Sequence, residues 1–251
     1  MKKSVSLSVM CLLFSLSLLS CHIEIYGNDD RGNNKTVKGS GTILSEIIPI
    51  SDYNELSIGA AKVLVYEQKE DSEPYLRIEV DENIYPFLIV ETKGKALSIR
   101  SEKNIDIKPT KYAIYTNSSE LAKLAIAGST DAQLKGNIET KQMRISIAGN
   151  SHVKGDNIVC ESLNAEIAGS GKITLAGQAD NSNYSIAGSG RINTTDMPVK
   201  NVKCEIAGSG NIQTNATEDL KVSIAGAGTV LYKGNPKVKK SVAGVGKIES
   251  I

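Results

Sequence analysis

The stretch Ile186-Ala187-Gly188-Ser189-Gly190 and its variants occur seven times between Leu121 and the C-terminus. The seven copies begin at Ile126, Ile147, Ile167, Ile186, Ile206, Ile224 and Val242. The steps between them are 21, 20, 19, 20, 18 and 18 residues. A repeat of this length is typical of a solenoid, in which each unit buries its apolar face by stacking on its neighbours.

Apolar residues on both sides of each motif recur in steps of two, which predicts strands rather than helices. Two positions before the motif isoleucine lie Leu124, Ile145, Ala165, Tyr184, Cys204, Val222 and Lys240. Six positions after it lie Ala132, Val153, Ile173, Ile192, Ile212, Val230 and Ile248. Glycines between the two strands can adopt the positive φ that a tight corner needs. The sequence therefore predicts an all-β, right-handed parallel β-helix with Gly-Ser-Gly corners, about 20 residues per coil and about ten coils.

The N-terminus has the features of a bacterial lipoprotein signal. A basic start precedes an apolar run over residues 5–19 that is too short to span a bilayer, and the run ends in Leu18-Leu19-Ser20-Cys21. We therefore expect residues 1–20 to be removed as a signal peptide and Cys21 to carry lipid, with residues 21–41 as a flexible tether. An uncleaved transmembrane anchor is the alternative.

The rest of the chain divides by its pattern into two parts. Residues 42–120 are rich in predicted strands without a visible repeat, and we interpret them as irregular N-terminal coils and a cap that protects one edge. Residues 121–251 form the regular repeats. No cap follows these repeats, which leads to the hypothesis of a homo-oligomer formed through the C-terminal edge.

Cysteine and charge content narrow the chemistry further. Cys160 and Cys204 fall two coils apart, so we expect no disulfide between them and interpret both as small hydrophobic residues in or near the core. Residues 22–120 hold 12 Lys and Arg against 17 Asp and Glu, whereas residues 121–251 hold 15 against 11. Such a modest basic excess does not indicate a nucleic-acid partner.

Several segments resemble one bacterial family. They are the opening Ile50-Ser51-Asp52-Tyr53-Asn54-Glu55-Leu56, the strand at 62–67, the hinge at 80–84, the segment 95–99 and the serial Ile-Ala-Gly-Ser-Gly corners. Over residues 43–251 the chain is similar to the family called putative auto-transporter adhesin, head GIN domain. The resemblance implies a shape like that of pectin-lyase-type β-helices, a lipoprotein of Bacteroides-like bacteria, and cell adhesion without known catalytic residues. The chain departs from the corner pattern at Ser129-Thr130, Asn150-Ser151, Ala227 and Val245.

One outward column is rich in basic residues. Three positions before each motif lie Lys123, Arg144, Asn164, Asn183, Lys203, Lys221 and Lys239. Lys203, Lys221 and Lys239 should lie one above another about 4.8 Å apart. One hypothesis is a linear groove formed by Lys123, Arg144 and these three lysines, which would bind a polyanion such as an acidic glycan or lipid headgroups. The alternative is a solvated lysine edge that discourages aggregation, with Glu166 and Glu205 nearby.

The residues needed for catalysis are scarce. The two histidines, His22 and His152, are too few for most histidine-based metal sites or a Ser-His-Asp triad. A calcium-dependent lyase would need stacked acidic side chains, but Ser185 separates Glu166 from Glu205 in their column, leaving them about 10 Å apart. Aromatic platforms for a sugar are expected in the tyrosine-rich first half rather than in the repeats.

We therefore predict a non-catalytic adhesion or binding module without a cofactor or metal. It would be displayed on the cell envelope as an outer-membrane lipoprotein, surface-exposed or periplasmic. Its partner would be an acidic glycan or another ligand on a host or neighbouring cell. Two alternatives stay open. A polysaccharide-active enzyme of pectin-lyase-like shape would be favoured by a cleft with stacked carboxylates, and a structural envelope spacer would have no ligand.

Overall fold

The structure is a computed structural model that describes residues 35–59 and 61–251. The predicted signal peptide, the predicted lipidation site Cys21, residues 21–34 of the predicted tether, His22 and Ala60 lie outside the described residues. Within the described part, no helix has the length and apolar content needed to cross a membrane. The one described helix is a short 3-10 turn, Tyr85–Phe87.

The described residues form 19 strands. In chain order they are β1 (Lys35–Lys38), β2 (Ile43–Pro49), β3 (Glu55–Gly59), β4 (Val63–Gln68), β5 (Tyr75–Asp81), β6 (Leu88–Lys93), β7 (Ala96–Ser101), β8 (Ile105–Lys108), β9 (Tyr112–Ser118), β10 (Lys123–Gly128), β11 (Asp131–Lys135), β12 (Ile138–Gly149), β13 (His152–Gly169), β14 (Lys172–Gly188), β15 (Arg191–Gly208), β16 (Asn211–Gly226), β17 (Thr229–Lys233), β18 (Lys237–Gly244) and β19 (Lys247–Ser250).

From β10 onward, successive coils stack in parallel and in register at the motif. Ile147 lies opposite Ile126 on one side and Ile167 on the other, and Ile186 follows next in the same column. All four side chains are at most 2% exposed. The predicted parallel β-helix is therefore confirmed, with coils of about 20 residues. Seven motif-bearing coils stack from β10 to β19, and β3 and β4 continue the parallel stack beyond β10 and β11.

The core is a set of aliphatic columns that run along the axis. The positions two before and six after the motif are buried in the coils up to β17, including Ile173, Ile192 and Ile212, which have no exposed surface. Burying one such side chain contributes about 1.5–3 kcal/mol. Since the same position is filled in every coil from β10 to β17, this contribution repeats along that part of the solenoid.

The corners show why the motif needs two glycines. Gly208 has a φ of +122°, and an added Cβ would lie 2.5 Å from the carbonyl oxygen of Gly188 in the next coil. The second glycine is required for a different reason: a Cβ on Gly210 would lie 2.6 Å from Cγ2 of Ile186. Where the second glycine is replaced by Thr130, the buried hydroxyl donates to the carbonyl oxygen of Ala61 at 2.6 Å.

The first half of the chain is stacked out of chain order. Leu56 in β3 lies opposite Leu97 in β7 on one side and Leu124 in β10 on the other. Likewise, β4 lies between β9 and β11. The coil formed by β3 and β4 therefore lies between two others. On one side is the coil formed by β7 and β9, which comes later in the chain, and on the other is the first regular coil, formed by β10 and β11.

Antiparallel strands cover the outer edge of that later coil. β5 pairs with β9, β2 pairs with β5, and β6 pairs with β7, in each case antiparallel. Because these three strands pair antiparallel, they cover this edge and do not form further parallel coils.

Asp81 anchors two loops of this covered end. Its buried carboxylate accepts hydrogen bonds from the backbone of Gly41 at 2.8 Å and from the backbone and hydroxyl of Thr110, each at 2.7 Å. Burial alone would raise the pKa of Asp81, but these hydrogen bonds hold it at about 2. The side chain is therefore an anion under ordinary conditions and fixes the loop before β2 against the loop before β9.

Large side chains fill the interior of the first half. The Tyr53 hydroxyl lies 2.8 Å from Thr116 Oγ1, and the Tyr66 hydroxyl lies 2.8 Å from Ser118 Oγ. Both rings are fully buried, and burial raises the pKa of both phenols. Each hydroxyl thus has a polar partner inside an otherwise apolar core, as buried tyrosines require.

The two described cysteines are free, as predicted. Cys160 is 7% exposed and Cys204 is fully buried, and no disulfide joins them. Burial raises the pKa of the Cys160 thiol to about 11 and that of Cys204 further still. Both therefore stay as neutral thiols and pack as small hydrophobic residues.

Candidate functional site

The basic column exists as a line of neighbouring residues on one face of the solenoid. β10, β12, β15, β16 and β18 supply its five basic side chains. In register order along the face, the column reads Glu55, Lys123, Arg144, Asn164, Asn183, Lys203, Lys221 and Lys239. Because the strands are parallel and in register, each of these side chains points to the same side as its neighbours.

Much of the positive charge in this column is neutralised by nearby carboxylates. Lys123 pairs with Glu55 at 3.1 Å, Arg144 with Glu166 at 3.3 Å, and Lys203 with Glu205 at 2.9 Å. All of these pairs are solvated, so each contributes little to stability. Their main effect is to reduce the local positive potential over this length of the column.

The centre of the column is neutral, and its C-terminal end is basic. The Asn183 amide donates to the Asn164 side-chain oxygen at 3.0 Å, a stacked pair that links two coils. Lys221 and Lys239 are exposed and lie opposite each other, and within the described chain neither forms an ion pair. The positive charge without a carboxylate partner therefore lies at Lys221 and Lys239, next to the paired Lys203, and the five-residue polyanion groove stays a hypothesis.

The structure also has an acidic cleft that the sequence analysis missed. Its volume is about 710 Å³. It lies between the loop after β4 and the parts of β12, β13 and β14 that precede the motif in each coil. The cleft contains five carboxylates: Glu70, Glu120, Glu139, Glu161 and Asp180. The positions six and eight before each motif supply four of them, so a search of those columns would have found most of the cleft.

Contacts in and beside the cleft hold two of these carboxylates and one backbone carbonyl group in place. The Thr140 hydroxyl donates to Glu120 at 2.7 Å, and Lys200 pairs with Asp180 at 2.7 Å. The Gln68 amide donates to the backbone oxygen of Glu139 at 3.0 Å. Among the described residues, no three Asp, Glu, His or Cys side chains come close enough together to hold a metal ion.

The described histidine lies away from the cleft. His152 Nδ1 is 3.4 Å from Asp131 Oδ1, and both side chains are more than half exposed on an outer face. The pair lies between Val63 and Lys172 in register, on the strands after the corner. This arrangement is an exposed ion pair when the imidazole is protonated.

Three of the seven aromatic residues described before Leu121 are interior. Tyr53, Tyr66 and Tyr112 are at most 1% exposed and so offer no platform for a sugar. Tyr75 is 37% exposed, and the Arg77 guanidinium lies 4.1 Å from the centre of the Tyr115 ring. Since Arg77 stacks on this ring, the ring face is already used by a cation–π contact.

The sequence from residue 52 to 236 matches the family described as putative auto-transporter adhesin, head GIN domain. The chain belongs to this family. No curated protein matches the chain. Family membership indicates a cell-surface or envelope location and is consistent with a non-catalytic adhesion or binding module.

Crystal structures of similar proteins agree with this membership in the head GIN domain family. A putative adhesin from Bacteroides fragilis NCTC 9343 has a TM-score of 0.79 at 25% identity, covering 86% of this chain and 100% of that one. A putative lipid binding protein from Parabacteroides distasonis ATCC 8503 has a TM-score of 0.73 at 32% identity with the same coverage. A putative adhesin from Parabacteroides merdae ATCC 43184 has a TM-score of 0.67 at 28% identity, covering 86% of this chain and 99% of that one.

Proposed function

We propose that this protein is a non-catalytic binding module, anchored in the outer membrane through a lipid on Cys21, that attaches to polyanions at the C-terminal end of its basic column. The observation that carries the proposal is the pair Lys221 and Lys239, which lie opposite each other without an acidic partner among the described residues. Like charges directly opposed in a sheet are destabilising. A bound anion removes that repulsion, so the site gains from a ligand with regularly spaced negative groups.

A charge-removal experiment tests the binding site. The double variant Lys221→Gln and Lys239→Gln should weaken binding to immobilised polygalacturonate about tenfold, which corresponds to about 1.4 kcal/mol. The matched control is Lys135→Gln with Lys172→Gln, which removes the same charge from exposed positions outside the column. Binding should also weaken as salt is added, because the contacts are exposed and electrostatic. Equal loss in both double variants would contradict a site at the column.

Two sources of ligand present the same chemistry, so the binding experiment tests each source separately. Acidic glycans and anionic lipid headgroups both present negative groups, and one similar protein of known structure is named a putative lipid binding protein. Vesicles containing phosphatidylglycerol, compared with neutral phosphatidylcholine vesicles, test the lipid source. The absence of binding in both arms would favour the structural spacer.

The anchor and its location require their own measurements. Cys21→Ser should move the protein from the membrane fraction to the soluble fraction and abolish labelling with a radioactive fatty acid. Digestion of intact cells with a protease distinguishes surface display from a periplasmic orientation. Protection of the protein on intact cells would exclude contact with another cell.

The acidic cleft favours a second candidate, a polysaccharide-active enzyme. General acid and base catalysis uses paired carboxylates, and the cleft contains five. The same carboxylates repel acidic glycans, so neutral or amino sugars are the substrates to test. Release of reducing ends from such polysaccharides, abolished by Glu139→Gln with Glu161→Gln, would establish this candidate. The absence of any release would favour the binding module.

A further inference from the structure

Among residues 35–59 and 61–251, the last coil of the solenoid, β18 and β19, is an open sheet edge. β18 pairs with β16 and β19 pairs with β17, and neither strand meets another described strand on its outer side. Every residue of β18 is exposed, whereas the equivalent part of β16 buries alternate residues. An unpaired edge of this kind is a template for a strand from another copy.

The same end exposes the cross-section of the core. Val242 is 41% exposed, although Ile224, its neighbour in the column, is 1% exposed. Val242, Gly246 and Ile248, together with Lys240, line a recess of about 310 Å³. A second copy that packs its own C-terminal end against this one would bury the valine and isoleucine, because the other end of the solenoid is covered by β2, β5 and β6. Hydrophobic burial therefore favours end-to-end association.

Lys240 interrupts the apolar column at this end. In the six preceding coils the equivalent residues are Leu124, Ile145, Ala165, Tyr184, Cys204 and Val222, each at most 1% exposed. Lys240 lies opposite Val222 and lines the recess. Glu249, the acidic residue of the same coil, pairs with Lys247 at 2.8 Å, and Lys240 forms no ion pair within the described chain.

We propose that Lys240 is a gatekeeper that prevents a second copy of the chain from stacking on the C-terminal end. A coil laid over this end would strip water from the ammonium group without supplying a carboxylate, and burying an unpaired charge is strongly unfavourable. In a two-fold arrangement, two Lys240 side chains would also repel each other across the contact. An inward-pointing charge at an edge is one of the ways in which β proteins avoid association. The proposal is opposite to the sequence-based hypothesis of a homo-oligomer through this edge.

The test compares two lysines that are neighbours in β18. Lys240→Val restores the apolar column, whereas Lys239→Val removes the same charge from an outward position. Sedimentation velocity of the full chain in detergent micelles, at rising protein concentration, measures self-association. Lys240→Val should lower the apparent dissociation constant at least about 100-fold. Lys239→Val should change it less than about fivefold, because an exposed charge contributes little.

Two further variants make the result specific. Adding Val242→Lys to Lys240→Val returns a charge to the inward face at the same end and should restore the monomer. Lys240→Met removes the charge and retains a long side chain. It is used in place of Lys240→Val if Lys240→Val fails to fold. Monomeric behaviour of the folded Lys240 variants would overturn the proposal. Association of Lys239→Val to the same degree, or of the unmodified chain through this end, would overturn it as well.

Discussion

Replacing Gly208 with alanine tests how closely the corners of neighbouring coils approach. Gly208 has a φ of +122°, and the new Cβ would lie 2.5 Å from the carbonyl oxygen of Gly188. That oxygen already accepts a hydrogen bond from the backbone of Ser209 at 2.9 Å. The methyl group therefore cannot be accommodated by rotating a side chain, and the backbone of one coil must move away from the next.

The expected magnitude follows from two separate costs. A residue with a Cβ held at this φ costs about 1–3 kcal/mol. Moving packed atoms apart costs about another 1–3 kcal/mol. We therefore expect Gly208→Ala to lower the free energy of unfolding by about 2–6 kcal/mol. The total free energy of unfolding of a folded protein is typically about 5–15 kcal/mol, so this loss is a substantial part of it.

Gly94 provides the matched control, because it separates the two costs. It has a φ of +61°, and an added Cβ would have no atom within 4 Å. Gly94→Ala therefore carries conformational strain alone, about 1–2 kcal/mol. Urea unfolding followed by circular dichroism gives both differences from the shift in midpoint and the slope. Equal losses for the two variants, or a loss below about 1 kcal/mol for Gly208→Ala, would refute the close stacking of the corners.

Three further predictions concern buried titratable groups. Asp81→Asn should lower the free energy of unfolding by about 2–4 kcal/mol, since it removes the charge that accepts several hydrogen bonds. The pKa of Asp81 is lowered from 3.8 to about 2, so its contribution is present above about pH 4 and is lost as pH falls towards 2; unfolding curves for Asp81→Asn should lack this loss. Burial raises the pKa of Tyr184 from 10.0 to about 12, so stability should fall as pH rises through this interval, and tyrosinate absorbance from this side chain at pH 10 in the folded protein would contradict the burial. Cys204 should resist a thiol reagent until the protein unfolds, as measured by mass spectrometry of its peptide; rapid native labelling would show that the column is open there.

The repeat half could be predicted from sequence because its signals are local and repeated. Each motif fixes a corner, and period-two alternation fixes which side chains face inward. Once the corners are aligned, the register of Ile147, Ile167 and Ile186 follows, and the structure has that register. The basic column was located by the same alignment. Its ion pairs depend on side-chain conformations on neighbouring strands, such as Lys203 with Glu205, which an alignment does not supply.

The first half could not be predicted in the same way because its pairings are distant along the chain. Leu56 meets Leu97 and Leu124, and nothing in the local pattern around Leu56 distinguishes these neighbours. Alternation shows that β5 is a strand but not that it pairs antiparallel with β9. The acidic cleft was missed for a related reason, since the loop after β4 meets repeat residues such as Glu139 and Glu161 that follow it by about 70 to 90 positions.

The two ends of the solenoid differ in how the sheet edge is kept from pairing with another chain. At the first end, β2, β5 and β6 cover the later coil by backbone pairing, which uses many residues and fixes their conformation. At the other end, Lys240 occupies a position that is apolar in every regular coil before it. One charge acts by making the wrong contact unfavourable, and it leaves the edge itself accessible. It follows that a partner able to place a carboxylate against Lys240 would escape the penalty that a second copy meets. Lys240→Glu should therefore weaken binding of such an acidic partner, because two negative charges would then face each other, while the buried charge still blocks self-stacking. Loss of a hydrophobic contact alone would not separate these two effects.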